Sequence, residues 1–95
     1  SYFDTYMREN VLQRKGVFGM KVTKTQAVLV LYDVLLHNGV VRKKDFLSTI
    51  ETSDISFKRY VSELRCYFTT FSPNYEVSYS RKEDAYYLVK TKVNG

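Results

Sequence analysis

The chain has 95 residues, 44% of them hydrophobic and 26% charged, a length that supports one core and excludes two independent domains. The net charge of +5 is spread along the chain without a basic tail, so it permits a polyanionic partner but does not demand one. A single cysteine, Cys66, excludes an internal disulfide framework and fits a reducing cytosol. The longest apolar run, residues 27–32, is far short of a membrane span, and no signal-peptide pattern opens the sequence. A soluble, cytoplasmic protein is expected. Because the first residue is Ser and not Met, the sequence reads as a fragment or a processed chain. Nine Tyr and six Phe without Trp suit a small domain with a thinly covered core, since Tyr packs its ring while its hydroxyl stays wet.

In chain order, Phe3, Tyr6, Met7, Asn10, Val11 and Arg14 recur at three- and four-residue spacing and read as a helix over 3–15 that Gly16 ends. Residues 17–22 could equally pair as a strand. Met20 is a candidate internal start, which makes residues 1–19 an extension and 20–95 the domain proper. Thr23 or Thr25 caps a helix running to about His37. Its apolar residues surround it almost completely, so it is expected to be the most buried element. His37-Asn38-Gly39 supplies a cation, a turn former and a glycine where the helix stops.

Val40-Val41 reads as a short extended stretch and Lys43–Thr49 as a short helix with Phe46, Leu47 and Ile50 on its apolar side. Ser53 is a good N-cap for a helix from Asp54 to about Phe68, with Asp54 at its positive end. Phe57, Val61, Leu64 and Phe68 fall on one face of it. Ser72-Pro73-Asn74 breaks the chain. Tyr75, Val77 and Tyr79 then alternate with polar residues as a strand whose aromatic side faces the core. Arg81-Lys82-Glu83-Asp84 is a polar tip, and Ala85–Thr91 returns as the second strand of a hairpin.

That order gives an α+β fold: a winged helix-turn-helix, with a three-helix core, a C-terminal β-hairpin wing and an N-terminal helical or extended segment. In this arrangement the second helix of the pair fits the major groove of DNA and the hairpin reaches an adjacent groove or the backbone. With Phe57, Val61, Leu64 and Phe68 inward, Ile55, Lys58, Arg59 and Ser62 form an outward stripe. Lys58 and Arg59 have the chemistry for guanine edges or phosphates. Two adjacent cations on a helix are ordinarily just a solvated face; their place behind a turn and before a hairpin favours DNA contact. Lys43 and Lys44, at the start of the short helix, are candidates for phosphate contact.

The run Ser53-Asp54-Ile55-Ser56-Phe57-Lys58-Arg59-Tyr60-Val61-Ser62-Glu63-Leu64-Arg65 resembles the recognition helix of bacterial regulators of the deoxyribose-repressor and WYL-domain type. Ser53, Val61, Leu64 and Arg65 hold that family's pattern and Phe57 takes its aliphatic place. Ile55 stands where the family has a cation, Tyr60 where it has Asp, and the wing lacks the usual glycines. The resemblance runs from about Thr23 to Val89 and includes Gly39-Val40-Val41 and Tyr86-Tyr87-Leu88. It implies a bacterial or phage transcription regulator, or its DNA-binding domain, with Arg81 and Lys82 at the wing tip touching phosphate or minor groove. The expected contact set is then Lys43, Lys44, Ser53, Ile55, Ser56, Lys58, Arg59, Ser62, Arg81 and Lys82. Double-stranded DNA is the expected partner and a homodimer the expected state, with residues 1–19 as the candidate dimerisation element.

No enzyme is expected, because no nucleophile, base and stabiliser converge in the sequence. His37 is read as a helix-end residue, and Cys66 as a buried or half-buried thiol. One Cys and one His cannot make a structural zinc site, no glycine-rich phosphate loop is present, and no cofactor is expected. The tyrosines are read as core in preference to a stacking platform for single strands. The main alternative is a winged helix used for protein–protein contact, which the modest charge and Ile55 favour. A further alternative is a subdomain of a nucleic-acid enzyme.

Overall fold

The computed structural model describes residues 19–91; the helix expected over 3–15, and with it the candidate dimerisation element, lies outside them apart from Gly19. Three helices and a small three-stranded antiparallel sheet alternate as α1 (Lys24–Asn38), β1 (Val40–Arg42), α2 (Lys43–Thr49), α3 (Asp54–Phe71), β2 (Tyr75–Ser80) and β3 (Ala85–Lys90). The α+β class expected from the sequence is therefore present, with the elements in the expected order.

Of the two candidate caps, Thr23 starts α1. Its hydroxyl accepts from the Gln26 N–H at 3.1 Å and the Gln26 side chain accepts from the Thr23 N–H at 3.0 Å, a reciprocal pair that satisfies two free helix-end donors. Gly39 ends the helix at φ 80°, and its N–H donates to the Leu35 carbonyl, which is the left-handed stop that glycine makes without strain. His37 closes the last turn with Nδ1 3.0 Å from a carboxylate oxygen of Asp33.

α1 is not buried all round. Ala27, Leu31, Val34 and Leu35 enter the core, but Leu29 is 58% and Leu36 37% exposed. The sheet and the other helices pack on one side of α1 only, and among the described residues nothing covers the opposite flank.

β1 joins the sheet by pairing with β3, Val41 opposite Tyr86, and β3 pairs in turn with β2, giving the order β1-β3-β2. Short as it is, β1 pins the α1–α2 connection to the hairpin. The loop between α2 and α3 is held from the other side by Met20. Its N–H donates to the Thr49 carbonyl and its carbonyl accepts from the Glu51 N–H, both at 2.9 Å, an isolated parallel bridge to Ile50.

Ser53 caps α3 as expected, its hydroxyl accepting from the Ser56 N–H at 3.1 Å. The helix runs on to Phe71, past the expected end near Phe68, because the chain meets no breaker before Ser72-Pro73. Phe57, Val61, Leu64 and Phe68 are all buried. Phe57 sits at the centre, with ring centroids 5.1 Å from Phe46 and 5.5 Å from Tyr86, so α2, α3 and the sheet share one aromatic contact.

Two further expectations fail on burial. Cys66 is exposed: it continues the outward side of α3 beyond Ile55, Arg59 and Ser62, where no core element reaches. Tyr79 is 44% exposed although Val77, next on the same strand face, is buried. The strand runs out past the core, so the Tyr79 ring lies on Tyr86 (centroids 4.7 Å) with solvent on its other side.

Candidate nucleic-acid interface

Packing of Phe57, Val61, Leu64 and Phe68 against the core fixes the rotation of α3, and that rotation decides what faces out. Ile55, Lys58, Arg59 and Ser62 are exposed, Ile55 to 65%. Ile55, Arg59, Ser62 and Cys66 follow one line along the helix, while Lys58 is turned toward the hairpin, where it lines a cleft with Tyr79 and Asp84. Ser53 is exposed and holds the cap; Ser56 is half-buried. Arg81 and Lys82 are exposed in the hairpin turn, and Lys44 is exposed in the first turn of α2.

Lys43 behaves differently from its neighbour. Its Nζ lies 3.2 Å from the Asp84 carboxylate and 3.4 Å from that of Asp54, and its backbone N–H donates to the Asp84 carbonyl at 3.1 Å. Both the charge expected to meet phosphate and the backbone N–H beside it thus have partners within the chain. The hydrogen bond to Asp84, helped by Asp54 and partly opposed by burial, holds the Lys43 amine above its ordinary value. Asp84 also accepts from the Tyr79 hydroxyl at 2.8 Å. That bond, with the charges of Lys43 and Lys58, holds the Asp84 carboxyl below its ordinary value against the opposing effect of burial. Asp84 adopts φ 49°, a left-handed conformation that Asp tolerates better than most residues. On the other side of the turn the Tyr87 hydroxyl donates to Glu83.

The turn therefore carries two cations facing solvent and two carboxylates with hydroxyl partners. Glu83 and Asp84 are each held by a tyrosine, and Asp84 by Lys43 as well. The cleft between α3 and the hairpin brings together Lys43, Lys58, Arg65, Tyr79, Asp84 and Tyr86 around a volume of about 360 Å3. The sequence singles out Lys43 and Lys58 as contacts but gives Arg65 only as part of the family pattern, although the helical repeat places it on the same side of α3 as Lys58 two turns later. Its Nε and Nη2 donate to the Val77 carbonyl, each at 3.4 Å.

A second surface has the opposite chemistry. Between α1 and α3 an open groove of about 340 Å3 is lined by Val28, Leu29, Tyr32, Glu63, Leu64 and Tyr67. Tyr32 and Tyr67 meet edge-on at 5.7 Å, and Tyr67 continues to Phe71 at 5.3 Å, a residue 71% exposed. Lys24 and Glu63, 3.6 Å apart, stand at one end.

Among the described residues no group of His, Cys, Asp and Glu is arranged to hold a metal, and no helix is long and apolar enough to cross a membrane. No protein-family model, curated protein or solved structure matches the chain.

Proposed function

We propose that this chain is a winged helix-turn-helix module that binds double-stranded DNA, with α3 as the reading helix and the β2–β3 hairpin as the wing. In this reading it serves a cytoplasmic transcription regulator of bacterial or phage type, as its resemblance to deoxyribose-repressor regulators implies. The observation that carries it is the exposed face of α3, where Arg59 stands between Ile55 and Ser62, Lys58 flanks the row, and a hairpin with exposed Arg81 and Lys82 packs alongside. A helix of 18 residues with polar and cationic groups along one solvent-facing side matches what enters a major groove. Arg59 supplies the fork suited to guanine, Ser62 a small donor and acceptor, and Ile55 an apolar contact of the kind made with a thymine methyl. Selection of duplexes from a random pool, followed by salt titration of the winner, tests this. Enrichment of a sequence and a steep loss of affinity with salt are expected; no enrichment and no binding at low salt would overturn it.

A second reading, contact with another protein chain, is favoured by the apolar groove between α1 and α3. The partner that fits best is a second copy. Its rim carries both signs, Lys24 and Glu63, so a two-fold arrangement can set each against its opposite, and palindromic DNA is read by dimers. Sedimentation of the full chain with and without Leu29→Glu checks it: a dimer that dissociates on substitution is expected, and a monomeric wild type would sink it.

A further inference from the structure

The outward row of α3 leaves the cleft between that helix and the hairpin without a role. Six side chains line it, three of them cations and one a carboxylate: Lys43, Lys58, Arg65, Tyr79, Asp84 and Tyr86. The geometry points to this cleft as a pocket for a single phosphate group, held by Lys58 and Arg65. The duplex-binding reading supplies the source, a backbone phosphodiester beside the groove that α3 enters; the chemistry of the pocket itself would equally take free phosphate.

Charge is distributed unevenly around the cleft. Lys43 and Asp84 are joined at 3.2 Å, and the Asp84 carboxylate is further held by the Tyr79 hydroxyl, so those two charges largely offset each other. Lys58 and Arg65 have no ion-pair partner among the described residues. An anion entering the cleft therefore meets two cations that form no salt bridge, Lys58 acting on Asp84 only at longer range. Arg65 is also pre-positioned, since two of its N–H groups rest on the Val77 carbonyl while the others remain for a ligand. A guanidinium anchored in this way loses less freedom on binding and presents a planar fork matched to phosphate oxygens. Tyr86, only 6% exposed, gives the cleft an apolar lining beside which charge–charge attraction is stronger than in open water. With a water's share of liquid volume at about 30 Å3, the space admits a tetrahedral oxyanion and some of its waters.

The placement separates two kinds of contact. Arg59 and Ser62 face outward, whereas Lys58 and Arg65 lie on the flank toward the hairpin, where the backbone of one strand would run when α3 lies in a groove. Phosphate contacts fix register and carry no sequence information directly, so the two sets fail differently when altered.

The test uses the full chain and a mixed-sequence duplex, titrated with salt, comparing wild type with Lys58→Gln, Arg65→Gln and Arg65→Lys. Both substituted positions are exposed, and thermal melts confirm that the variants fold. Each Gln variant is expected to bind all duplexes more weakly by a common factor and to make the log–log salt slope shallower by about 0.9; Arg65→Lys restores the slope. Unchanged slopes in both Gln variants of a protein that binds duplex would overturn the pocket and leave the duplex reading intact. A wild type that binds no duplex would overturn the duplex reading instead. The cleft is then decided by titrating inorganic phosphate at constant ionic strength while following the Arg65 Nε–H by NMR. A saturable shift that disappears in Lys58→Gln supports a free-phosphate pocket, and a non-saturating drift overturns it.

Discussion

Lys43 and Asp84 are tied twice, Nζ to carboxylate at 3.2 Å and backbone N–H to carbonyl at 3.1 Å, which locks the start of α2 to the end of the hairpin turn. The Tyr79 hydroxyl first, then Lys43 and Lys58, hold the Asp84 carboxyl below its ordinary 3.8. A carboxyl whose value is lower in the folded state stabilises the fold above its unfolded value, and that contribution is lost as pH falls through the folded one. Asp84→Asn should therefore lower the thermal midpoint slightly near neutrality, and the difference from wild type should close in acid. Asn also tolerates the left-handed backbone at this position, so conformational strain does not confuse the comparison. Melts across the acid range check it; an offset that stays constant with pH would show that the ion pair is not the cause. The same variant frees Lys43 from one of its two carboxylates, and its affinity for duplex should rise.

Arg59→Ala should separate reading from mere attraction. If Arg59 forks onto a base, its loss costs about 1–3 kcal/mol against the preferred duplex and relaxes the preference at one position. Arg81→Gln and Lys82→Gln in the hairpin turn should weaken all duplexes alike. Parallel selections with the three variants give the answer, and a uniform loss from Arg59→Ala would move that residue to the phosphate class.

Local signals in the sequence are specific enough to give the three helices of the described residues. Gly39 marks the stop of α1 and the spacing of Phe57, Val61, Leu64 and Phe68 sets the rotation of α3, while the choice of Thr23 over Thr25 as cap comes only with the structure. The same spacing puts Cys66 outward with Ser62, so its exposure is legible from periodicity even though the residue type suggests burial. What was not legible depends on chain segments meeting from a distance. Pairing of β1 with β3, the grip of Asp84 on Lys43, and the approach of Arg65 to Val77 all come from the hairpin folding back onto α3. Periodicity also cannot tell which part of an all-round apolar helix remains uncovered, and for that reason the bare flank of α1 at Leu29 and Leu36 appears only in three dimensions.

Gly39 isolates a backbone effect. Its φ is 80°, and a Cβ built there meets nothing within 4 Å, so Gly39→Ala adds no clash. The cost expected is that of the left-handed conformation alone, about 1–2 kcal/mol, and Gly39→Asn should recover part of it because Asn visits that region more readily. Urea denaturation of the three proteins measures the order. Equal stability of the Ala and Gly proteins would mean that the α1 stop relaxes to another geometry.

Leu29 and Leu31 are the same residue type on the same helix, yet one is 58% exposed and the other fully buried. Leu31 packs in the core beneath α3, so Leu31→Ala should cost about 2–5 kcal/mol, the sum of lost transfer energy and the cavity left behind. That is a large share of the ~5–15 kcal/mol that holds a domain of this kind together. Leu29→Ser should change the stability of the isolated monomer by no more than about 0.5 kcal/mol, as surface substitutions usually do. Measured at several protein concentrations, the pair also tests the groove between α1 and α3. If a second copy covers that face, Leu29→Ser destabilises more as concentration rises, because binding stabilises the folded wild type by mass action. A Leu29→Ser effect that is small at every concentration would leave the groove as ordinary solvent-facing surface.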